Sequence, residues 1–96
     1  MRPFIPLSAE GERALLREAP LFLGLRAYLE PLAKQLVTQS TLLPADYEWM
    51  MSWILERVPK MAREYLNAGQ TRQFSLYFAW AALEIIEREE GESSSL

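Results

Sequence analysis

The chain reads as all-α: a small bundle of four to five helices, two of them kinked by proline, centred on an antiparallel hairpin of about residues 45–66 and 71–90. Three observations predict this. Apolar residues recur at spacings of three and four rather than two. Leu, Ala, Glu and Arg, all strong helix formers, dominate the composition. Prolines, glycines and N-cap residues punctuate the pattern at helical intervals. With 96 residues, half of them hydrophobic and 11 % aromatic, one domain with a core of its own is expected at 8–90. It is flanked by an extended arm at 1–7 and a disordered tail at 91–96.

In the arm, Pro3 and Pro6 favour an extended path. Phe4, Ile5 and Leu7 are too apolar for a free tail. They either fold back onto the core or dock on a second subunit or partner. Ser8 is an N-cap, and Glu10 and Glu12 suit the positive end of a first helix. That helix is expected to run from about Ala9 to Ala19 and stop near Pro20. Pro20 then opens a second helix, whose face is Leu21, Phe22, Leu25, Tyr28, Leu29, Leu32, Leu36 and Val37. Pro31 must kink or divide it.

Pro44 opens the third helix. Tyr47, Met51, Ile54, Val58, Met61 and Tyr65 alternate steps of four and three, a seam for a neighbouring antiparallel helix. Pro59 predicts a kink or break near Arg57–Val58, and Gly69 a left-handed terminus. Thr71 is expected to cap the last helix, from about Arg72 to Glu90, with Gly91 ending it. Between Phe74 and Ile86 only Ser75 and Glu84 are strongly polar. A helix apolar nearly all round is central to a core or shared with a partner.

The residues that are missing narrow the function. There is no histidine, no cysteine and a single aspartate, Asp46. The usual general base at neutral pH, the activated thiol and most transition-metal ligand sets are therefore lacking. No serine lies in a nucleophile elbow, and the four glycines are isolated. An enzyme is not expected, nor is a metal or any other cofactor. The most apolar run, 74–86, is too short to span a bilayer, and the opening residues lack the apolar stretch of a secretory leader. A cytoplasmic protein is expected, since a chain without cysteine fits a reducing compartment.

The net charge is −3, and residues 73–96 hold most of the excess: five glutamates against Arg88. This acidic balance opposes phosphate binding. A local strip of Arg57, Lys60, Arg63 and Arg72 nevertheless offers an alternative, a small helical nucleic-acid-binding or regulatory protein. Its helix–turn–helix would present Phe74, Tyr77, Phe78 and Trp80 where a recognition helix needs polar side chains.

The aromatic residues point elsewhere. Trp49 and Trp53 lie four apart with Met50 beside them, on a face separate from the 47/51/54/58 seam. The last helix likewise has two stripes, Phe74/Phe78/Ala81/Ile85 and Leu76/Trp80/Leu83. One stripe per helix suffices for a hairpin. The second stripes either pack beneath the second helix and the arm or form an interface. Tryptophan suits interface hot spots and methionine suits adaptable surfaces. The leading expectation is a non-enzymatic protein-binding module: an adaptor, assembly chaperone or inhibitor, of the kind common among phage and mobile-element accessory proteins. Its contacts would be Phe4, Ile5, Trp49, Met50, Trp53 and Trp80, with another protein or a second copy as partner.

Overall fold

The computed structural model describes residues 4–69 and 71–94, and is all-α throughout that range. Its elements are α1 (Ala9–Leu15), α2 (Leu23–Thr38), a 3-10 turn (Pro44–Asp46), α3 (Tyr47–Glu56), α4 (Val58–Asn67) and α5 (Phe74–Ser94).

Ser8 caps α1 as its sequence predicts, its hydroxyl accepting from Gly11 N at 3.2 Å. The helix stops at Leu15, short of the expected Ala19. Residues 16–22 turn instead, and Pro20 lies in that turn rather than at a helix start. The cause is Phe22. Its backbone sits in the left-handed region, φ 51°, while its ring is almost wholly buried, 1 % exposed. Burying a phenylalanine is worth more than the ~1 kcal/mol such a backbone costs. Just beyond it, Gly24 lets α2 approach α1: a Cβ there would run into the Glu18 carboxylate and lie 3.2 Å from Leu15 Cδ2.

α2 passes through Pro31 as one helix rather than dividing. Pro31 has no N–H, so the carbonyl of Ala27 loses its intrahelical donor; Ala27 is exposed, and water can take that place. The kink or break expected within the third helix near Pro59 is a break. Arg57 separates α3 from α4, and Pro59 sits in the first turn of α4, where no N–H is needed.

The molecule is centred on α2, not on the expected hairpin. α2 packs most extensively against α3 and then against α5, while α4 and α5 touch less. Both α3 and α4 touch α5, each less than α2 does. Leu25, Leu29, Ala33 and Val37 of α2, Met50 and Ile54 of α3, Val58 of α4, and Phe74, Phe78 and Ile86 of α5 form one core, each at most 1 % exposed.

α5 starts at Phe74, later than expected, and its first turn is served by Glu12 of α1 rather than by Thr71. Glu12 Oε1 accepts from Ser75 N at 3.3 Å. The helix continues through Gly91 to Ser94, past the point where the tail was expected to begin. Gly91 keeps a right-handed backbone; Gly69 is the glycine at positive φ, 62°. Near this end Thr41 ties the α2–α3 connection to α5, its N–H (2.9 Å) and hydroxyl both donating to Glu90. These bonds hold the Glu90 carboxyl below its usual range. Residues 1–3 of the arm and 95–96 of the tail lie outside the described residues.

Candidate partner-binding surface

The outer face of α3 carries two tryptophans, because its inner face is taken by other residues. Met50, Ile54 and Leu55 point into the core, so positions 49 and 53 face outward. Trp49 is 51 % exposed and Trp53 39 %. Their rings lie 5.5 Å apart, tilted at 39°. The Arg57 guanidinium sits 4.7 Å from the Trp53 ring centroid, a cation–π contact that continues the stripe to the end of α3.

α5 repeats the arrangement. Phe74, Phe78, Ala82 and Ile86 are buried, while Leu76, Trp80 and Leu83 stand out at 61, 57 and 40 % exposure. Their spacing of four and three makes one continuous stripe. Glu87 extends it by another four residues, and Glu84 flanks it; both are exposed. Both stripes stay exposed, with Leu76 bordering α2 and the arm.

Two expected contacts are corrected. Met50 is wholly buried, at 0 % exposure, and belongs to the core rather than to the tryptophan surface. It lies about 100° around the helix from Trp49 and continues through Ile54, Val58 and Met61, a run that could have placed it. Phe4 is half-buried against its own chain, its ring 5.2 Å from that of Tyr28. Leu7 fixes the arm, its N–H donating to Tyr28 Oη and its carbonyl accepting from Gln73 Nε2, each at 2.8 Å. Ile5 remains 75 % exposed. Phe4 and Pro6 line one side of an apolar recess of about 250 Å³; Leu32, Leu76 and Ala79 line the other. This brings the arm to the edge of the α5 stripe.

The four basic residues have different surroundings. Arg57 stacks on Trp53. Lys60 Nζ lies 4.0 Å from Glu64. Arg63 is exposed on α4. Arg72 follows α4, where its carbonyl accepts from the Tyr65 hydroxyl and its side chain shares a polar recess with Glu12 and Arg13.

Sequence reasoning gave no sign of the buried polar centre. Glu12, only 2 % exposed, accepts from the Tyr28 hydroxyl at 2.7 Å as well as from Ser75. Burial, then the hydrogen bond to the Glu12 carboxylate, pushes the Tyr28 phenol up to about 12. Burial followed by the Glu12 charge also raises Tyr65. With both Glu12 oxygens hydrogen-bonded, this centre joins the arm, α1, α2 and α5. Among the described residues no cluster of carboxylates could hold a metal ion, and no helix is long and apolar enough to cross a membrane. No known family, curated protein or solved structure matches the chain.

Proposed function

We propose that this chain is a non-enzymatic protein-binding module, an adaptor, assembly chaperone or inhibitor, acting through the outer faces of α3 and α5. One observation carries the reading: Trp49, Trp53 and Trp80 all lie in solvent, at 51, 39 and 57 % exposure, while phenylalanine and aliphatic side chains close the core. Burying the exposed half of a tryptophan contributes roughly 2–3 kcal/mol at about 25 cal/mol per Å². Three such rings on two helices are a strong reservoir of association energy. The Arg57 cation beside Trp53 adds an enriched interface residue type. The absence of cysteine fits action in the reducing cytoplasm.

The nucleic-acid alternative has less support, since Lys60 lies beside Glu64 and the α5 face is apolar and acidic. Affinity capture from native lysate at low and high salt separates the two readings. The expected result is a protein retained at high salt by the natural chain and lost with the Trp49→Ala/Trp80→Ala double variant. Retention of nucleic acid alone, released by salt, would overturn the proposal.

A further inference from the structure

The α3 and α5 stripes complement each other better than either complements itself. The α3 stripe runs Trp49–Trp53 and ends in the Arg57 cation. The α5 stripe runs Leu76–Trp80–Leu83 and ends in Glu87, with Glu84 at its flank. Among the described residues neither glutamate side chain has a hydrogen-bond or ion-pair partner. Trp49 to Arg57 is eight residues and Trp80 to Glu87 seven, about 12 Å and about 10.5 Å along a helix. Laid side by side in the same direction, the two stripes set Trp49 against Trp80, Trp53 against Leu83 and the Arg57 guanidinium against the Glu87 carboxylate. One chain carries both halves of this match, and α3 already adjoins α5 within it.

We infer that the occupant of these faces is a second copy of this chain. In a two-fold dimer the α3 stripe of each copy lies on the α5 stripe of the other, and the contact is made twice. This rests on the protein-binding reading above and names its partner. The area is sufficient: the exposed parts of the three tryptophans and two leucines come to roughly 500 Å² per copy. Doubled, that reaches the ~1,000 Å² at which specific interfaces begin. A surface at this lower limit points to a reversible rather than an obligate dimer.

Sedimentation velocity on the full chain from about 1 to 500 μM tests this. The expected result is a monomer–dimer equilibrium. Trp80→Ala should weaken it by about 30-fold or more, as a hot-spot residue does. Arg57→Glu and Glu87→Arg should each weaken it about 10-fold, and the Arg57→Glu/Glu87→Arg swap should restore it to within about 3-fold of the natural chain. All three positions are at least partly exposed, and circular dichroism confirms that each variant is folded. A monomer throughout, or a dimer indifferent to Trp80→Ala and unrepaired by the swap, overturns the inference. A monomer that still captures another protein through its tryptophans overturns the inference alone and leaves the binding-module reading standing.

Discussion

Glu12 is an acidic residue in the first turn of a short helix, a position usually left to solvent, yet here it is buried between α1, α2 and α5. A buried carboxylate is tolerated only when its oxygens are hydrogen-bonded, and Tyr28 and Ser75 supply those bonds. Glu12→Ala strands a phenol and a backbone N–H together, and should lower stability by about 2–3 kcal/mol in urea denaturation. Glu12→Gln keeps an acceptor and should lower it less. The same contact predicts an alkaline limit. The Tyr28 pKa is raised to about 12 from its ordinary 10, so the folded state favours the neutral phenol. Its contribution is complete below pH about 10 and is lost as pH rises toward 12. Stability measured across that window should fall, and Tyr28→Phe should flatten part of the fall. Tyr65, raised in the same sense, supplies a remainder that persists in the variant.

The two glycines at helix ends have opposite requirements. Gly69 follows α4 at φ 62°, and a Cβ added there would meet nothing within 4 Å; Gly91 has equally open space but lies in a right-handed helix. Thermal unfolding should show Gly69→Ala destabilising by about 1 kcal/mol and Gly91→Ala stabilising by a few tenths. The sequence announces the first of these ends, as it announces the Ser8 cap and the break before Pro59, because local chemistry decides them. It does not announce the start of α2, which follows from the burial of the Phe22 ring against distant residues, nor the capping of α5 by a side chain 63 positions away. The candidate surface is half legible for a related reason. Helical spacing separates the Trp49/Trp53 face from the seam and the Leu76/Trp80/Leu83 face from Phe74/Phe78, since that is geometry within one helix. Which face turns inward depends on how α2 packs against both helices, and proximity to Trp49 alone therefore puts Met50 on the wrong side. Leu76 and Leu83 belong to the α5 stripe as fully as Trp80 does, and their exposure emerges only from the packing.

Taken as a whole, the molecule keeps its stability and its association surface on different residues. Phe78→Ala, at 0 % exposure, should cost about 3–5 kcal/mol, while Trp49→Ala or Trp80→Ala should change stability by about 1 kcal/mol or less. This separation makes the surface directly observable. The chain has three tryptophans, and all three sit on the proposed face with 39–57 % exposure, so no buried indole contributes a constant background. Intrinsic fluorescence of the free chain should be red-shifted and open to a soluble quencher. Occupancy of the face excludes water from the indoles, so emission should shift to the blue and quenching should fall, in step with the bound fraction. If a second copy is the occupant, that change follows protein concentration with the midpoint found by sedimentation, and in Arg57→Glu it moves to about tenfold higher concentration until the reciprocal Glu87→Arg change is added. If another protein is the occupant, the spectrum of the isolated chain stays constant with concentration and shifts only on addition of that protein. Emission already blue and shielded in the dilute monomer would place the indoles inside the fold and remove the basis for either partner.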